Sequence, residues 1–155
     1  MRLYPLSIYE RGGSPDHIAH IMFGILICAL FFPSNISLIS LVLVSALSVF
    51  PDFDLKFEHR KTLHNIFAAG VISYTFSFAF PMLPLSLSLA SYFSHICLDM
   101  LSPAGVAIFY PLSSKRYRIF GKIRSGIQTL TFVIFLWAVF TYMGWVPLDK
   151  LLSVI

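Results

Sequence analysis

Residues 21–50, 65–94 and 126–146 carry no Asp, Glu, Lys, Arg or His, and these three runs limit the fold more than any other feature of the chain. A helix needs roughly 20 residues, at about 1.5 Å each, to cross a hydrocarbon layer of ~30 Å. The third run is long enough by itself. The first two are interrupted near their middles, one by Pro33-Ser34-Asn35 and the other by Pro81 and Pro84. Each therefore reads as a helical hairpin. The expectation is an all-α, polytopic membrane bundle of about five transmembrane helices, at 17–32, 36–51, 65–81, 84–100 and 126–146, forming a single domain over 1–155. Several arms are slightly short, so their polar ends would enter the headgroup region or the bilayer would thin around them. A composition 57% hydrophobic and 12% charged argues against an ordinary soluble domain. His17 and His20 interrupt the start of the first arm and no small-residue cleavage site follows it, which argues against a signal peptide. Cys28 and Cys97 are far apart in apolar helix and read as small core residues.

Counting spans sorts the loops. The N-terminal segment, residues 52–64 and residues 101–125 share one face; the turns at 33–35 and 81–84 and the C-terminus share the other. Of the 11 Lys and Arg, all but Lys150 fall on the first face, which the positive-inside rule makes cytoplasmic. The same face collects the potential metal donors: Asp16, His17 and His20; Asp52 and Asp54; His59 and His64; His95 and Asp99. Helix ends on one face can converge, so these groups are candidates for one centre.

Each cluster alone is weak evidence. His95 and Asp99 are four apart and share a helical face, which suits either a packing hydrogen bond or a ligand pair. Ionisable groups in apolar helices are functional by default. Asp52 and Asp54 would repel each other unless a cation or Arg60 offset their charge. His59 and His64 bracket Arg60. His17 and His20 lie three apart, and their spacing leaves open which is a ligand and which, with Asp16, supports it. Mixed imidazole and carboxylate donors suit zinc, manganese or iron, as one or two ions. Lys115, Arg116 and Arg118 form a juxtamembrane basic cluster suited to anionic headgroups or substrate. No motif supports nucleic-acid binding.

Three blocks carry a family resemblance. They are Phe50-Pro51-Asp52-Phe53-Asp54, His59-Arg60-Lys61-Thr62-Leu63-His64-Asn65, and Ser94-His95 through Asp99 to Ser102-Pro103-Ala104-Gly105-Val106, followed by Tyr110-Pro111. Together with His20 they resemble the YdjM-like family, LexA-regulated inner-membrane proteins regarded as metal-dependent hydrolases, over roughly residues 17–126. That family is more distantly similar to zinc-dependent phospholipase C and related single-strand nucleases. Lys61, Leu63 and Asn65 depart from the common family pattern, and no Glu follows Gly126.

The resemblance implies a metal site of His20, Asp52, Asp54, His59, His64, His95 and Asp99, with His20 preferred over His17. The expected activity is hydrolysis of a phosphoester in a lipid or lipid-linked substrate. Asp52 or Asp54 would take a proton, and Arg60 would offset phosphoryl charge. The alternative is a membrane metal-ion carrier or sensor built on the same ligands.

Overall fold

A computed structural model describes residues 15–56, 62–119, 123 and 126–154. All its regular elements are helical: α1 (Pro15–Phe31), α2 (Leu38–Val49), α3 (Ile66–Ala79), α4 (Leu85–Asp99), α5 (Gly126–Tyr142) and the short α6 (Leu148–Leu152). Two 3-10 segments, Pro33–Asn35 and Phe50–Lys56, follow α1 and α2.

Local chemistry sets these boundaries. Pro15 opens α1 at a position where its missing N–H is no loss. Ser37 and Ser40 form a reciprocal capping box at the start of α2. The Asn65 carboxamide oxygen accepts from the Ala68 N–H at 2.9 Å and caps α3, while its Nδ2 donates to the Thr62 carbonyl at 2.7 Å.

The helix positions follow the apolar runs, but the expectation of five transmembrane spans needs correction. The turns claim residues that the spans needed, leaving helices of 12 to 17 residues, or about 18–26 Å at ~1.5 Å per residue. Among the described residues no helix is long and apolar enough to cross a membrane.

α4 is the central element and packs against α1, α2 and α3, while α5 lies on α1. Val44, Leu47, Ala69, Leu87, Tyr92, Ile96 and Val106 form the core around α4. The Trp137 indole N–H, donating to the Met22 carbonyl at 2.9 Å, pins α5 to α1.

Small residues let α1, α2 and α4 approach closely. The Ser91 hydroxyl donates to the Val44 carbonyl at 2.8 Å, so Ser48 must be the donor in its 3.0 Å contact with Ser91. Gly24 faces this pair. A Cβ at Gly24 would lie 1.9 Å from the Ser48 Oγ and 3.3 Å from the Ser94 Oγ. Gly24→Val is therefore expected to destabilise the fold by about 1–3 kcal/mol, as overpacking of a close interface does. Thermal unfolding checks this, and an unchanged midpoint would contradict the close approach.

After α4 the chain folds back on itself. Val106 and Tyr117 exchange backbone hydrogen bonds of 2.9 and 2.8 Å, and the Ile119 N–H donates to the Met100 carbonyl at 2.8 Å. Gly105 makes the turn with φ +62°, where a Cβ would sit 2.7 Å from the Tyr117 carbonyl oxygen.

Candidate metal centre

The fold gathers donors from four places along the chain at one end of the bundle. α1 supplies His20, the 3-10 segment after α2 supplies Asp52, the turn before α3 supplies His64, and α4 supplies His95 and Asp99. His95 and Asp99 project together because they are four apart on one helix. His64 is held in place by the Asn65 cap and by the Tyr92 hydroxyl, which donates to the Leu63 carbonyl at 2.7 Å. The Ile66 N–H, donating to the Ile108 carbonyl at 3.0 Å, ties this turn to the folded-back loop.

His95 defines the electrostatics. Its Nδ1 lies 2.7 Å from the Ser48 carbonyl oxygen, which can only accept. Nδ1 therefore carries the proton, and in the neutral ring Nε2 presents a lone pair. That lone pair faces the His64 Nε2 at 3.1 Å, the Asp52 Oδ1 at 3.5 Å and the Asp99 Oδ2 at 3.7 Å. The His64 Nε2 in turn lies 3.2 Å from the Asp99 Oδ2 and 3.7 Å from the Asp52 Oδ1. With neutral imidazoles and ionised carboxylates, the His95 Nε2, the Asp52 Oδ1 and the Asp99 Oδ2 all turn acceptor lone pairs towards the His64 Nε2.

A divalent cation answers such a gathering of lone pairs, and the geometry suits one. Donors ~2.0–2.2 Å from a tetrahedral ion stand about 3.3–3.6 Å apart. The separations of 3.1 to 3.7 Å from the His64 and His95 Nε2 atoms to each other and to Asp99 and Asp52 bracket that range. His20 adds to the set. Its ring stacks on His95 with centroids 3.9 Å apart, and its Nε2 is 3.7 Å from the other Asp99 oxygen. The buried His20 Nδ1 has no hydrogen-bond partner among the described residues. Two overlapping groups, His20–Asp52–His95 and His64–His95–Asp99, could each hold an ion.

The centre is graded in exposure. The His64 and His95 side chains are fully buried, whereas Asp52 is 16% and His17 51% exposed. His17 approaches the Asp52 Oδ2 at 3.2 Å from the outer side. Solvent therefore meets the cluster along the His17–Asp52 edge. Burial pushes the Asp52 carboxyl up, but the hydrogen bond from His64 and the nearby His95 and His20 outweigh it and hold Asp52 below the ordinary carboxylate value.

The other candidates are placed as follows. Asp54 lies on the Phe50–Lys56 segment and Asp16 on the first turn of α1, with side chains outside the described residues. His59 and Arg60 also lie outside the described residues. Lys115, Arg116 and Arg118 are exposed on the folded-back loop, with Arg116 and Arg118 making long 3.5 Å contacts to the Ala104 and Pro103 carbonyls just beyond Asp99. The Ser48 carbonyl, which orients His95, was invisible to a search for side-chain donors.

The chain is 36% identical over 64 residues to two uncharacterised proteins of Methanothermobacter thermautotrophicus, ORF4′ and ORF4. Each match covers 40% of this chain, which spans about a quarter (26%) of the length of these curated relatives. No solved structure matches. Residues 16–155, which include every described donor of the centre, match the family described as YdjM inner membrane protein, and the chain belongs to that family.

Proposed function

We propose that this protein is a membrane-bound, metal-dependent hydrolase acting on a phosphoester of a lipid or lipid-linked substrate at the cytoplasmic interface. The observation that carries this reading is the convergence of the His95 lone pair with His64, Asp52 and Asp99 at separations of 3.1 to 3.7 Å. His64, His95 and Asp99 would hold a divalent ion, most simply zinc, from the buried side, and that ion would supply an activated water near neutral pH and an electrophile for a phosphoryl oxygen. Asp52, at the wet edge, accepts a proton and passes it outward through the exposed His17. Asp54 and Arg60 belong to the same proposal, as alternative base and as charge clamp on the phosphoryl oxygens.

The outer surface supports a lipid setting. Val42, Val71, Phe78, Ile127 and Phe135 are all more than half exposed, so helices that are apolar on the inside are apolar outside as well. Helices of 12 to 17 residues would sit in hydrocarbon through local bilayer thinning, with the basic segments cytoplasmic.

One observation favours the ion-carrier reading. Ser73 and Ser88, deeper in the bundle, have buried hydroxyls without hydrogen-bond partners among the described residues, and these would extend a polar route from the centre.

Turnover of vesicle-borne lipid phosphoesters by purified, metal-loaded protein tests both. Asp52→Asn is expected to lower kcat by about 10²–10⁴-fold, the usual contribution of a general base. Metal-dependent ion flux into vesicles without any phosphoester turnover would refute the hydrolase and leave the carrier.

A further inference from the structure

α2 and α4 meet along two matching rows of residues. On α2 and the 3-10 segment that follows it the row is Val44, Ser48 and Asp52; on α4 it is Ser91, His95 and Asp99. Each row advances by four residues, the spacing that keeps one face of a helix towards its neighbour. The rows are joined rung by rung. The Ser91 hydroxyl donates to the Val44 carbonyl at 2.8 Å, the His95 Nδ1–H donates to the Ser48 carbonyl at 2.7 Å, and the His95 Nε2 faces the Asp52 Oδ1 at 3.5 Å. Ser48, Ser91 and His95 are all fully buried.

The middle rung depends on a carbonyl that the end of α2 leaves available. The helix tightens there, and the Phe50 N–H donates to the Leu47 carbonyl three residues back. Pro51 stands where the same pattern would serve Ser48, and it has no N–H to give. The Ser48 carbonyl is therefore open to His95, but it belongs to a helix terminus, and helix termini fray. The first rung holds this one in place. Ser91 lies one turn before His95 and grips α2 one turn before Ser48, while the Ser48 hydroxyl donates back to the Ser91 oxygen at 3.0 Å. Without the Ser91 hydroxyl, an opening of about 1 Å between the two rows would carry the His95 contact beyond hydrogen-bond range.

We infer that Ser91 is a positioning residue for the metal centre: by clamping the last turn of α2 it keeps the Ser48 carbonyl on the His95 Nδ1 and so turns the unprotonated Nε2 towards the ion. The inference rests on the metal-centre reading. A plainer role, that of a small residue letting two helices approach, would be filled equally well by alanine.

The experiment uses the full chain in detergent micelles, labelled with ¹⁵N-histidine and free of metal. In the wild type the His95 ring is expected to show a single tautomer, protonated at Nδ1, with its signals assigned by their loss in His95→Gln. In Ser91→Ala those signals should move to a mixture of the two tautomers. The double variant Ser48→Ala/Ser91→Ala, which leaves no stranded hydroxyl, should give the same mixture. Cobalt titration, followed by visible absorption, should show affinity about 10-fold weaker in both, the low end of the effect of losing an outer partner. Trp137→Phe loses the indole hydrogen bond between α5 and α1 and serves as the control for a general loosening of the bundle; its His95 tautomer and cobalt affinity should match the wild type. A single Nδ1–H tautomer persisting in folded Ser91→Ala, or an equal change in Trp137→Phe, would overturn the inference. Wild-type protein that binds no metal would overturn the metal centre itself, whereas normal binding with a tautomer indifferent to Ser91 would overturn the clamp alone.

Discussion

His95→Ala is expected to strip the protein of its ion. His95 contributes a nitrogen whose protonation state is dictated from outside the cluster, through the 2.7 Å contact of Nδ1 with the Ser48 carbonyl. His95 is also common to both groups of donors that could hold metal. Loss of an outer partner of a metal ligand already lowers affinity by about 10–100-fold, so loss of this donor should exceed ~100-fold. Elemental analysis after dialysis against metal-free buffer gives the readout. His17→Ala is the internal comparison: its imidazole is half exposed and reaches only the outer Asp52 oxygen, at 3.2 Å, so bound metal should persist. Stoichiometric metal in purified His95→Ala protein would remove the basis for the centre.

The second large effect concerns stability. Two carboxylates and the imidazole lone pair of His95 converge around the His64 nitrogen, and two carboxylates brought to one site favour a bound cation. An ion that binds only the folded chain at about 1,000 times its Kd adds ~4 kcal/mol. For a chain of this size that is about 8–16 °C in Tm. Chelation should lower the melting temperature by this order, and zinc should restore it. The double variant His64→Ala/His95→Ala should melt at one temperature with or without metal. Identical melting of the wild type in chelator and in zinc would show that the cluster holds no stabilising ion.

Much of this architecture is visible before any coordinates. Uncharged runs broken by Pro33 and by Pro81 and Pro84 mark the two hairpins, and the helices lie within a few residues of where those runs place them. Their lengths are less legible. Capping by Ser37, the 3-10 segment from Phe50 and the positive φ of Gly144 consume residues that hydropathy alone assigns to spans. For the centre, residue type and the i, i+4 spacing of His95 and Asp99 identify candidates. Bringing His20, Asp52 and His64 to the same point is a matter of tertiary packing. The choice between His17 and His20 shows the difference: three residues apart on one helix, one is exposed against Asp52 and the other buried against the His95 ring. The Ser48 carbonyl and the Gly24 contact left no signal because a backbone acceptor has no residue type and a glycine announces no partner.

The order in which the donors occur along the chain has a consequence for biogenesis. The first hairpin and the segment after it carry only His20 and Asp52 among the described donors, while His64 precedes α3 and both His95 and Asp99 belong to the end of α4. Neither hairpin alone contains the complete donor set, and α4 must already be seated against α1, α2 and α3 for the set to close. On the metal-centre proposal, ion capture is a late step, completed only after both hairpins have been synthesised and docked.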